Sequence, residues 1–246
     1  MSLNISAYER NEQKAVAQFW ATRATATARQ QEGGKVDQGE RAGVTAGKNM
    51  DAFIEILINV ARDNGLTNAE VCTQRSKLTL PGYYRPTKNW DLLILNGPRL
   101  VAAVELKSQV GPSFGNNFNN RAEEAIGTAH DFWTAYREKA LGEYAPRPFV
   151  GWIILVEDCP ASRVGGLRID SPHFNVFSDF REASYLERYE ILCRKLMVEG
   201  LYTCAALVTS PRDTSVVFDQ ISDATNLRNF ITTFASYCAA ESTRST

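Results

Sequence analysis

The segment Gly151-Trp152-Ile153-Ile154-Leu155-Val156 constrains this chain most, because no polar side chain interrupts it. An apolar run this short and continuous reads as a strand buried on both faces. A strand of that kind lies inside a sheet that carries helices on both sides. A loop with Pro146 and Pro148 leads into it.

Other periodicities fit that frame. Helical patterns cover 7–28, with Val16, Phe19 and Trp20 on one side, then 119–139, 185–199 and 223–239. The pattern at 119–139 has an apolar stripe of Ala122, Ala125, Ile126, Ala129, Phe132 and Trp133. A further helix is expected from an N-cap at Asn49 to about Asn64, stopped by Gly65. Phe53, Ile54, Ile56, Leu57, Ile58, Val60 and Ala61 cover most of its circumference, leaving Asp51, Glu55 and Asn59 as one polar stripe. Strand patterns occur at 71–80, broken by Pro81-Gly82, and at 91–95, 100–106 and 203–209. Asn96-Gly97-Pro98 is a turn signal that joins 91–95 and 100–106 into a hairpin. The glycines at 33, 34, 39, 43 and 47 mark a long loop over 29–49. These elements predict an α/β fold, a single domain over 1–246 with a mixed central sheet flanked by helices.

Composition narrows the class. The chain has 246 residues, 44% hydrophobic and 22% charged, as in an ordinary globular protein. No apolar run reaches the roughly eighteen residues of a membrane span, and Met1–Ser6 has neither the basic flank nor the apolar stretch of a signal peptide. Cys72, Cys159, Cys193, Cys204 and Cys238 form no C-x-x-C pair, and read as buried free thiols of a reducing cytoplasm. The net charge of -1 argues against a protein that grips nucleic acid by bulk charge. Charge is nevertheless uneven. Between Val71 and Trp90 there is no acid, whereas Arg75, Lys77, Arg85 and Lys88 occur there with Tyr83 and Tyr84 interleaved. That segment suits either a phosphate-facing surface or a solvated basic loop.

The hairpin concentrates the chemistry. With Leu95 opposite Leu100, Asp91 lies across from Val104, one step from Glu105. The period of two puts Glu105 and Lys107 on one face. Two carboxylates and an ammonium then converge at the edge of an apolar sheet. A hard divalent cation such as Mg2+ is held by one or two carboxylates plus substrate phosphate, and such an ion activates water for phosphodiester hydrolysis. The bare acid-x-Lys pattern is weak, since 28 acids and eight lysines give about one match by chance. Glu12-Gln13-Lys14 is such a match, in a surface helix. The upstream acid on a paired strand and the apolar Val101-Ala102-Ala103-Val104 distinguish the second match. The alternative for these residues is a salt-bridged sheet edge.

Asp91 followed by Glu105-Leu106-Lys107 resembles the PD-(D/E)xK nuclease motif, with Trp90 where proline often stands. The runs Leu80-Pro81-Gly82-Tyr83-Tyr84-Arg85-Pro86-Thr87-Lys88 and Val101 to Asp131 resemble the XhoI family of type II restriction endonucleases, over roughly residues 40 to 200. The resemblance implies a Mg2+-dependent homodimer that cuts both strands of double-stranded DNA at CTCGAG. It also implies a cognate methyltransferase that protects the bacterial host, and a catalytic core at 49–160 between an N-terminal helix and loop (1–48) and a C-terminal part (161–246). Asp91, Glu105 and Lys107 would be catalytic. Asp91, Glu105 and the Leu106 backbone carbonyl would hold the metal, with Glu55 as a further acid from the preceding helix or else part of a solvent stripe.

The segment Gly111–Arg121, expected as a loop, offers Asn116, Asn117, Asn119, Asn120 and Arg121 for contacts to DNA, beside Tyr83, Arg85 and Lys88. Asparagine also serves turns and caps, which is the structural alternative. Glu123 and Glu124 suit the start of the next helix, and Glu124 alternatively an outer contact to the metal site. Competing readings are a structure-selective nuclease of the same superfamily and a non-catalytic DNA-binding module.

Overall fold

A computed structural model describes residues 3–32, 49–166, 169, 171–212 and 221–244. The expected strand at Gly151–Val156 is present as β6 (Phe149–Glu157), and every residue in it is buried. It lies in a five-stranded mixed sheet of order β1-β4-β5-β6-β7, where the others are β1 (Glu70–Cys72), β4 (Leu92–Asn96), β5 (Arg99–Gln109) and β7 (Cys204–Ser210). The pairs β1–β4 and β4–β5 are antiparallel, while β5–β6 and β6–β7 are parallel.

Both faces of the sheet are covered, which accounts for the unbroken apolar sequence of β6. One face, with Leu92, Ile94, Val104, Ile153 and Ala206, packs against α1 (Ser6–Glu32), α2 (Asp51–Asp63) and α5 (Leu227–Ser242). The other, with Leu93, Ala103, Trp152, Ile154 and Leu207, packs against α3 (Phe114–Arg137) and α4 (Tyr185–Val198). The mixed α/β single domain is the one the sequence predicts. Val16, Phe19 and Trp20 of α1 are buried, and the Trp20 indole N–H donates to Ser210 Oγ at 3.0 Å. Gly151 allows close packing, because a Cβ there would lie 2.6 Å from Phe230 Cζ and 2.8 Å from Phe149 Cε1.

Several expectations need correction. Helix α1 runs to Glu32, so 29–32 are helical; the glycine-rich segment 33–48 lies outside the described residues. Met50, not Asn49, occupies the N-cap of α2 and makes no side-chain cap bond. The stretch 71–80 is not one strand. After β1 come a 3-10 turn (Arg75–Lys77) and β2 (Thr79–Pro81), which pairs with β3 (Thr87–Asn89) as a separate hairpin. Its tip is held by Asp131, as described below. Helix α3 starts at Phe114, five residues early. Phe114 stacks on Tyr185 and Phe118 meets Tyr189 edge-on, and these contacts impose helix on a sequence of glycine and asparagine. Ile126 is 47% exposed, so it leaves the expected stripe. All five cysteines are free, and four are buried.

Candidate active site

The hairpin β4–β5 turns at Gly97-Pro98, with Gly97 in the left-handed region at φ 59° and Leu95 opposite Leu100 as expected. Beyond that pair the register slips. Ile94 faces Ala102, which leaves Val101 as an extra residue in β5, and Leu92 rather than Asp91 faces Val104. Val101 and Ala102 consequently pack into the same core, breaking the alternation of β5. This bulge moves Asp91 one step further along the hairpin than simple pairing predicts. The Asp91 backbone N–H donates to Val104 O at 3.2 Å, and its Oδ2 accepts from Leu106 N–H at 2.8 Å.

Glu105 is 2% exposed, and two ammonium groups meet one of its oxygens. Lys107 Nζ lies 2.6 Å from Glu105 Oε1, and Lys88 Nζ lies 3.0 Å from the same atom. Glu105 Oε2 is buried and has no hydrogen-bond partner. Burial would push the Glu105 carboxyl up, but Lys107 and Lys88 prevail and hold it below the usual range. Asp91 goes the other way: burial outweighs the pull of Lys107 and the Leu106 amide, and its pKa is raised. Burial alone would lower Lys107, yet Glu105 and Asp91 raise it, so it stays an ammonium. The cleft beside this cluster has a volume of about 210 Å³, room for several water-sized groups. Asp91, Leu106, Lys107 and Ser108 line its sheet side, Arg121 of α3 lines another, and Ile54 of α2 closes it with Asn49 and Met50 from the turn before that helix.

The oxygen donors here could hold a divalent metal. Among the described residues no three His, Cys, Asp or Glu side chains gather. Two carboxylates, one with an unpartnered buried oxygen, match a hydrated hard cation completed by phosphate.

Other sequence-predicted residues fall in two groups. Glu55 is exposed and does not join the cluster, because α2 buries Ala52, Phe53, Ile56, Leu57, Val60 and Ala61, and this phase points Glu55 and Asn59 outward. Lys88 sits inside the site on Glu105, a placement that no local pattern signalled. Arg85 donates to Asp131 Oδ2 at 2.8 Å, while Asp131 Oδ1 accepts from the Tyr83 and Tyr84 amides at 2.9 and 2.8 Å. Tyr83 and Tyr84 are exposed at this tip, and the Tyr84 ring stacks on His130. Asn116, Asn119 and Asn120 are exposed on the first turns of α3, with Asn117 and Arg121 half-buried there. Glu123 is exposed, and Glu124 pairs with Arg121.

A mixed sheet flanked by helices, with two acids and a lysine gathered on a hairpin, is the architecture of the restriction-endonuclease-like nucleases. The chain belongs to the XhoI restriction endonuclease family, whose model, described as restriction endonuclease XhoI, matches residues 29–221. That match extends past residue 200, where the sequence alone offered no likeness. It is similar to a protein named type II restriction enzyme XhoI from Xanthomonas vasicola, 58% identical over 201 residues, 81% of this chain and 79% of that one. Type II restriction enzyme AbrI of Azospirillum brasilense is 59% identical over 175 residues, 71% of this chain and 77% of its own. For type II restriction enzyme BstVI of Geobacillus stearothermophilus the identity is 49% over 181 residues, 72% of this chain and 80% of that relative. No solved structure matches. The protein is a restriction endonuclease acting on double-stranded DNA. Among the described residues, no helix is long and apolar enough to cross a membrane.

Proposed function

We propose that this enzyme, as a homodimer in the bacterial cytoplasm, hydrolyses one phosphodiester in each strand of CTCGAG with Mg2+, while a cognate methyltransferase protects the host's own sites. Its whole length, 1–246, serves as one nuclease domain with the core at 49–160. The convergence of Asp91 and Lys107 on one cleft, with the half-satisfied Glu105 buried against Lys107, carries this reading.

Asp91, Glu105 and the Leu106 carbonyl are the groups that would hold Mg2+. A bound Mg2+ lowers the pKa of water and offsets charge developing on phosphorus. Lys107, paired with Glu105 beside the cleft, is placed to stabilise anionic phosphate and to orient water. The Leu106 amide fixes the Asp91 carboxylate, and Glu105 fixes the lysine, which keeps the arrangement preorganised. Exposed Tyr83 and Tyr84 and the half-exposed Arg85 suit the DNA backbone, with Lys88 behind them. The asparagines Asn116, Asn117, Asn119 and Asn120, with Arg121, present amide and guanidinium groups suited to base edges.

The test is digestion of plasmids with and without a CTCGAG site, with and without Mg2+. Wild type should give discrete ends within that sequence. Asp91→Ala, Glu105→Ala and Lys107→Ala should each lose about a thousandfold or more while still binding the duplex. Cleavage at unrelated sequences, or full activity in Asp91→Ala, would overturn the proposal.

A further inference from the structure

The geometry points to Lys88 as a gate that keeps the divalent cation out of the site until DNA is bound. This inference rests on the reading of Asp91 and Glu105 as the cation's ligands.

The site already holds one ammonium, Lys107, which comes from β5 itself. Lys88 arrives from outside the central sheet, on the small hairpin β2–β3, where it pairs with Leu80. That hairpin is pinned at its tip by the three bonds to Asp131, and at its base by the Trp90 N–H to Leu78 O bond of 2.8 Å. The ammonium is therefore delivered by a fixed arm. Its side chain is 17% exposed, and Nζ also donates to Asn89 O at 2.6 Å.

Charge decides what the arm does. Asp91, Glu105, Lys107 and Lys88 together are formally neutral, and nearby Arg121 is matched by Glu124. A divalent cation entering a neutral cluster meets two ammonium groups for its two carboxylates, and gains little. Without Lys88 the same cluster would carry one net negative charge. A DNA phosphate supplies that negative charge from outside. It attracts the cation and gives the Lys88 ammonium a second acceptor, so the hold of Lys88 on Glu105 Oε1 is relieved as the substrate arrives, while Lys107 stays on that atom. Lys88 thus acts as a positioning residue that orders the two binding events, DNA before metal.

The experiment titrates Mn2+ alone into the DNA-free, full-length enzyme, with free Mn2+ read by electron paramagnetic resonance. Lys88→Gln should bind Mn2+ on the order of tenfold more tightly than wild type, as loss of one charge at close range requires even under water-like screening. Lys88→Arg should behave as wild type, and the advantage of Lys88→Gln should narrow once a non-hydrolysable CTCGAG duplex is bound. Equal Mn2+ affinity in Lys88→Gln and wild type, with binding lost in Asp91→Ala, would overturn the gate and leave the ligand assignment standing. Unchanged Mn2+ binding in Asp91→Ala would overturn the ligand assignment, and the gate with it.

Discussion

Replacing Asp131 by alanine removes the acceptor for three donors at once: the Tyr83 and Tyr84 amides and Arg85 Nε. Hydrogen bonds to a charged group contribute about 1.5–3 kcal/mol each where water cannot substitute. Here the Arg85 side chain is 41% exposed and the amides belong to an exposed turn, so water recovers part of each bond. At about 1 kcal/mol per bond, Asp131→Ala should cost about 3 kcal/mol. In a domain of this size that lowers the melting temperature by about 6–12 °C. Asp131→Asn keeps one oxygen acceptor and should fall between. The pH dependence has a definite sign. Burial alone would raise the Asp131 carboxyl, but the Tyr84 amide, Arg85 and the Tyr83 amide overcome it and hold the carboxyl below its ordinary value. A depressed carboxylate stabilises the fold fully above the unfolded-state pKa of about 3.9, and loses that contribution as pH falls towards the folded value. The gap between wild type and Asp131→Ala should therefore be full at neutral pH and shrink in acid below that range. Thermal melts across pH, with hydrogen exchange at the Tyr83 and Tyr84 amides, measure both quantities. A variant melting within about 1 °C of wild type at neutral pH, or a gap that widens in acid, would refute the reasoning.

Four further outcomes are expected. Gly151→Ala places a methyl against Phe230 and Phe149 and should destabilise by about 1–3 kcal/mol in a urea titration. Ser184→Ala breaks the reciprocal cap in which the Glu187 N–H donates to Ser184 Oγ and the Ser184 N–H to Glu187 Oε2, and should cost about 1 kcal/mol in the same assay. Glu55→Ala should retain cleavage within about twofold of wild type, since the side chain is exposed and does not line the cleft. Chelation by EDTA should abolish cleavage yet leave the melting temperature within about 1 °C, because Lys107 and Lys88 already compensate Glu105 without metal.

What the sequence disclosed depended on how local each signal was. The turn at Asn96-Gly97-Pro98 and the alternation after it located the hairpin, and the apolar run of β6 located the centre of the sheet. Adjacent spacing was also enough to place Glu105 and Lys107 together. The register was a different matter: nothing in Val101-Ala102-Ala103-Val104 marks which residue bulges. Asn116 and Asn117 read as loop because their propensities oppose helix, and the contacts of Phe114 and Phe118 with α4 that override them join residues some seventy positions apart. Lys88 looked like one more cation in a basic stretch. Its ion pair with Glu105 depends on how a second hairpin docks onto the sheet, which no spacing encodes. Glu55 was open to two readings, and its exposure follows the solvent stripe that the apolar residues of α2 already implied.

The extra residue at Val101 gives the hairpin a slack joint between its tip and its reactive end. Changes of one residue in the Gly97-Pro98 turn would be taken up there, by moving or losing the spare position, without rotating Asp91 and Glu105 onto opposite faces. The tip can therefore drift in length and sequence while the acid pair keeps its alignment. Deleting Val101 alone, with the turn intact, would leave Leu95 opposite Leu100 and Leu92 opposite Val104, so the strand would straighten while the two acids kept their register.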